Sequence, residues 1–179
     1  MQKLETYQSI LNDKKTTTEK ALELFDNLEP VNLDFMWGRW KGEGINTDHP
    51  MDGFLENSNW YGKEFVNADN VHPLLFSNSQ GNIFKVAPNP TAMQQILKLP
   101  ILKNKSLKPL LILTNSLLKT KTSQARLRMM EYRGKVSATM IYDYLPINDS
   151  FRKIDENNVF GIMDYKNIQQ PFFFILRRA

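Results

Sequence analysis

The sequence predicts a mainly β fold: an antiparallel β-barrel with N-terminal helices and a helical insertion that serves as a lid. Three observations carry that expectation. Residues 124–178 divide into five short runs rich in β-formers and joined by turn sequences, the pattern of an antiparallel meander. In "GRWKGEG" (38–44), Gly38, Trp40 and Gly42 share one face of a strand, because side chains alternate with period two. Several later strands pair a large residue on one face with a mixed set on the other, as suits a barrel partly filled and partly open inside.

The chain has 179 residues, which fits a single domain, 1–179, with room for a sizeable core. The N-terminal helices are expected over 1–30. Thr16 and Glu19 have the spacing of a capping box, and Ala21, Leu22, Phe25 and Leu28 form one stripe that Pro30 ends. Residues 34–86 then change period. "FMWGRWKGEGI" and "NWYGKEFVN" read as strands, and "HPLLF" and "NIFKVAP" as a hairpin around "SNSQG". Residues 91–122 return to helical spacing, with Leu107, Leu110, Leu111, Thr114, Leu117 and Leu118 on one stripe, and read as the insertion. The meander over 124–178 runs "ARLRMMEY", "KVSATMIYDYL", "SFRKI", "VFGIMD" and "FFFILRR".

Flanking glycines around Trp40 suggest a purpose. They remove side chains that would collide with the indole or with a crossing backbone, and they let a strand curl where a sheet closes. Together, "GRWKG", "HPMDGFLENSNWYGKEF" and the long block from "ARLRMMEYRGKV" to "FGIMDYKN" resemble the GXWXG proteins that carry a companion DUF4334 domain. The resemblance covers about residues 30–86 and 124–178, and it implies that the two blocks form one unit with a lipocalin-like opening strand. It implies no particular activity.

Composition narrows the chemistry. There is no cysteine, which excludes disulfides, thiolate nucleophiles and cysteine-held metals. No apolar run approaches the ~20 residues of a membrane span, and the N-terminus lacks an apolar signal core, so the expected location is cytoplasmic. No His-x-His, HExxH, Gly-x-Ser-x-Gly or phosphate-cradling glycine loop occurs, and no metal or cofactor is expected. Lys98 to Lys135 holds ten basic residues against one acid, Glu131. Such a run suits an anionic partner or a membrane surface touched through 98–121, and equally a solvated helical face. Aromatics are absent from 98–131, so the stacking platform of nucleic-acid binders is missing there.

The leading expectation is carriage of a hydrophobic or amphiphilic anionic small molecule, such as a fatty acid or lipid, inside the barrel. Trp40, Trp60, Thr139, Tyr142 and Tyr144 are the candidate walls. Arg126 and Arg128 are the candidate partners of a carboxylate or phosphate, through a charge-assisted fork. An inward arginine needs an internal acid or an anionic guest, and Glu131, Asp143 and Asp149 are available acids. Asp149, Arg152 and Asp155 also read as a surface network. The alternative is a cofactor-independent enzyme of the isomerase or lyase type. It would use His49 and Asp52, three residues apart in "TDHPMDG", as an acid–base pair at the cavity mouth, although the same residues have turn chemistry. His72 reads as a packed or surface histidine. A third expectation is an interaction module or homodimer formed through the apolar stripe 107–118.

Overall fold

In a computed structural model of the chain, residues 2–88, 91 and 118–179 are described. Residues 92–117 of the expected helical insertion, with all of the stripe but Leu118 and four of the ten bases between Lys98 and Lys135, lie outside the described residues. Only its end, 118–122, is described; there Lys119 bridges Val86, and Ala87 N–H donates to Leu118 O.

The N-terminal region forms two helices, α1 (Gln2–Asp13) and α2 (Thr18–Asn27). Lys14, with φ of 53°, breaks them apart, and Lys15 then bridges Asn46. The cap of α2 is Thr17, one residue later than the sequence spacing suggested; its hydroxyl accepts from Lys20 N–H at 3.4 Å. A two-residue strand, β1 (Glu29–Pro30), and a 3-10 turn over Asp34–Met36 lead into the sheet.

The main strands are β2 (Gly38–Ile45), β3 (Trp60–Asn67), β4 (Asn70–Ser77), β5 (Ile83–Lys85), β6 (Ala125–Tyr132), β7 (Lys135–Tyr142), β8 (Ile147–Asp155), β9 (Asn158–Tyr165) and β10 (Ile168–Arg178), with a short helix α3 (Phe54–Asn57) between β2 and β3. All pairings between these strands are antiparallel. They run β2-β3-β4-β6-β7-β8-β9-β10 and return to β2, so eight strands close a barrel. The short strands β1 and β5 extend β8 and β4. The meander read from 124–178 is β6 to β10, although β7 stops at Tyr142 and Asp143–Pro146 form the turn.

Two apolar layers follow from the alternation along each strand. Inward residues such as Trp40, Phe65, Leu127, Phe151 and Phe174 belong to one apolar cluster inside the barrel, which also takes in Ile147, Met163 and Phe172. The outward set Ile45, Phe160, Ile162, Phe173 and Ile175 lies under Ile10 of α1 and Ala21, Leu24 and Phe25 of α2. Leu24 and Phe25 are essentially fully buried, and each contributes about 1.5–3 kcal/mol by leaving water. Arg152, read from sequence as part of a surface network, is instead buried beneath α2. Its guanidinium lies 4.6 Å from the Phe25 ring and donates to the carbonyls of Tyr132, Lys135 and Phe151. Its position on the outward face of β8 exposes it to α2 rather than to water. Among the described residues no helix is long and apolar enough to cross a membrane.

Candidate ligand site in the barrel

The barrel wall is incomplete between β2 and β3. Their ladder runs from Gly38↔Phe65 to Lys41↔Gly62 and goes no further, while β2 continues to pair with β10 as far as Ile45. The cause is local. Asn59 takes a φ of 59°, and β3 shifts register between Trp60 and Gly62. Two side chains stand where ladder bonds would be. Glu56 Oε1 accepts the free N–H of Gly44 at 3.0 Å, and the Trp60 indole lies over Gly42 so closely that a Cβ there would come within 2.1 Å of Cη2. A cleft of about 280 Å³ opens at this point, lined by Lys41, Gly42, Glu43, Glu56, Trp60 and Arg177.

Behind Trp60 lies a buried charge pair. Lys63 is opposite Trp40 in the ladder and therefore points inward. Asp149 shares the inward face of β8 with Ile147 and Phe151. Lys63 Nζ lies 2.8 Å from Asp149 Oδ2, and the two side chains are 4% and 2% exposed. The ammonium also donates to Pro73 O at 3.3 Å and sits 5.5, 5.7 and 5.2 Å from the rings of Trp60, Tyr142 and Phe174. That arrangement is an aromatic cage around a cation. Desolvation outweighs the pull of Lys63 and raises the Asp149 carboxyl above its ordinary range. Burial, with the nearby Asp149 charge, raises the Tyr142 phenol well above its ordinary value.

Two polar atoms at this pair are unpaired. Asp149 Oδ1 and Trp60 Nε1 are buried without a hydrogen-bond partner among the described residues. Leaving such a group unsatisfied costs about 1–3 kcal/mol, so the site has one acceptor and one donor to offer.

His49 and Asp52 meet in the loop 46–53, but the carboxylate does not touch the imidazole. Asp52 Oδ2 accepts the backbone N–H groups of His49 (2.7 Å) and Thr47 (3.0 Å). The ring's Nδ1 accepts from Met51 N–H at 3.0 Å, which leaves Nε2 to donate to Gln170 O at 3.1 Å. Both nitrogens are therefore committed to backbone, and burial pushes the imidazole down to about 4. The Asp52 carboxyl is raised by burial. The pair organises a turn, the reading its residue types also allowed.

The other sequence candidates divide between the two sides of the wall. Trp40, Trp60 and Tyr142 point inward. Trp40 is fully buried; its Nε1 donates to Met36 O at 2.8 Å, and Arg178 stacks 4.3 Å from its ring, so it plugs one end. The glycine beside it serves another residue, since Gly42 makes room for Trp60. Arg126 and Arg128 face outward, 51% and 44% exposed, beside Asp143 at 3.7 Å and Asp69 at 2.6 Å. The apolar Ala125 and Leu127 take the inward parity of β6, which corrects the expectation of an arginine-lined interior. Thr139 is buried on the outward face, bonded to Ser150 Oγ at 3.0 Å. Tyr144 lies in the β7–β8 turn, 66% exposed. His72 is buried on β4, its pKa lowered by burial and by Lys85.

Sequence reasoning missed Lys63. Its signal was available: Lys63 shares strand parity with Phe65, as Asp149 does with Phe151, so each charge sits two residues from an inward aromatic. No group of three or more His, Cys, Asp or Glu among the described residues is placed to hold a metal ion.

Residues 23–81 match the model described as GXWXG protein, and residues 123–178 match the domain of unknown function DUF4334. The chain belongs to the GXWXG/DUF4334 family. A crystal structure of a protein from Thermomonospora curvata is 31% identical, with a TM-score of 0.73 over 100% of this chain and 99% of that one. No curated protein matches the chain. In this GXWXG protein the GXWXG segment supplies β1 to β4, and the DUF4334 segment supplies β6 to β10. Lys63 comes from the first and Asp149 from the second, so the charge pair ties the two segments together inside one barrel.

Proposed function

We propose that this protein binds a hydrophobic or amphiphilic small molecule, a fatty acid, lipid or similar compound, at the β2–β3 opening. The observation that carries the reading is the Lys63–Asp149 pair, buried in a cage of aromatic rings with one carboxylate oxygen and one indole N–H left unpaired. A few convergent polar groups set in apolar walls, behind a cleft, are what a small-molecule site requires. Trp60 is the contact between the cleft and the interior. The ligand's apolar part would lie against Trp60 and Phe174, and its polar end would meet the unpaired atoms. Trp40 closes the far end and would set the depth.

Native mass spectrometry of freshly purified protein tests this reading. A co-purifying mass, released on denaturation and identified as an amphiphile, is the expected result. A bare-chain mass, with no binding at micromolar concentration of either a fluorescent fatty-acid probe or a neutral long-chain amphiphile, would remove the proposal.

A further inference from the structure

We infer that the polar end of the ligand is neutral and both donates and accepts one hydrogen bond, so that the ligand is an apolar alcohol rather than a fatty-acid anion. The inference rests on the binding role proposed above and specifies its chemistry.

Charge balance is the first argument. The inward cation, Lys63, is already matched by Asp149 at 2.8 Å. An entering carboxylate would bring a second negative charge beside Asp149 with no free inward cation among the described residues to meet it. A buried unmatched charge is costly in a low-dielectric interior. The arginines that could have matched it, Arg126 and Arg128, lie on the outer wall with acids of their own. At the cleft, Glu43 is already paired with Lys14, and Lys41 and Arg177 have the outward parity of β2 and β10, opposite to that of the inward Trp40 and Leu176, so neither shares the inward face with Asp149.

Hydrogen-bond inventory is the second. The unpaired atoms are one acceptor, Asp149 Oδ1, and one donor, Trp60 Nε1. Both belong to side chains that touch Lys63: one by the ion pair, the other through its ring face. A hydroxyl group donates once and accepts at least once, which complements that set. A carboxylate accepts only, and it would leave Asp149 Oδ1 facing another acceptor.

The test is isothermal titration calorimetry of the purified full-length chain with 1-decanol and, separately, with sodium decanoate at neutral pH. The alcohol is expected to bind at least about tenfold more tightly, the worth of one hydrogen bond to a charged group. Trp60→Phe keeps a ring over Gly42 but removes the N–H, and should weaken decanol by about tenfold. Asp149→Asn leaves the Lys63 ammonium unmatched and should reverse the preference toward decanoate. Equal or tighter binding of decanoate by the unaltered protein overturns the inference and leaves the binding role standing. Unchanged decanol affinity in Trp60→Phe overturns it too, and that variant suffices if Asp149→Asn does not fold. Binding of neither compound would count against the binding role itself.

Discussion

Lys63 on β3 and Asp149 on β8 are not on neighbouring strands, yet their side chains meet at 2.8 Å across the barrel interior. Removing one partner leaves the other charge buried and unmatched. Lys63→Met should therefore cost about 3–5 kcal/mol, while Lys63→Met combined with Asp149→Leu should recover most of that loss. Urea denaturation of the two variants measures the difference. A double variant no more stable than the single one would show that the two residues do not act as a unit.

The imidazole of His49 is held neutral, so acid should loosen the fold through it. Its folded pKa is about 4 against an ordinary 6.5. The unfolded chain therefore takes up a proton that the folded chain refuses. The contribution is fully present above about pH 6.5 and is lost as pH falls toward 4, at about 1.4 kcal/mol per unit and about 3 kcal/mol in all. Asp52, with a raised pKa, acts in the opposite sense just above its ordinary 3.8. Urea midpoints measured from pH 7 to 4.5 should fall steeply in the unaltered protein. In His49→Asn they should fall less, leaving the part due to His72, which burial also depresses. Parallel curves would contradict the assignment.

Gly62 and Gly42 should differ in what they tolerate. A Cβ on Gly62 would lie 2.0 Å from the Trp40 carbonyl, and the residue's φ is +148°. Backbone cannot step aside, so Gly62→Ala should cost several kcal/mol or prevent folding, at about 3 kcal/mol or more. At Gly42 the obstacle is the far edge of the Trp60 ring, 2.1 Å away, which can swing outward. Gly42→Ala should cost about 1–3 kcal/mol and make Trp60 more accessible to acrylamide. Equal damage at both positions would show that Trp60 is as fixed as the backbone.

How much of this could be read in the sequence depended on whether strand parity was decisive. Where charges marked one face, as in "GRWKG", alternation placed the strand and its inward Trp40; in "FFFILRR" both faces are apolar, so the strand was legible but its inward side was not. Where both faces were mixed, as in "ARLRMMEY", parity did not decide, and Arg126 and Arg128 were expected at the ligand although they face outward. The small inward Ala125 and the partner strand β7 decided their side. Arg152 was misread because an outward residue is exposed only if no helix covers it, and the docking of α2 is a tertiary fact. The ion pair was legible in parts: Asp149 stood out as an available internal acid, but its partner is 86 positions away by numbering. Only barrel closure brings them together.

Arg126 and Arg128 should be dispensable for binding. Both are roughly half exposed and paired on the outer wall. Replacing both with Ala should change stability by less than about 1 kcal/mol for each pair and leave the affinity for decanol or decanoate unaltered in calorimetry. A large loss of affinity would return them to the ligand site.

The three tryptophans allow the central claim to be tested directly by NMR of the indole N–H groups. The Nε1–H of Trp40 is bonded to Met36 O at 2.8 Å and that of Trp37 to Asp34 Oδ1 at 3.0 Å, whereas that of Trp60 has no partner among the described residues. On titration with 1-decanol, the Trp60 cross-peak should move downfield and saturate while the other two stay in place. A titration in which Trp60 stays fixed while the protein demonstrably binds the compound would place the ligand elsewhere and contradict the account.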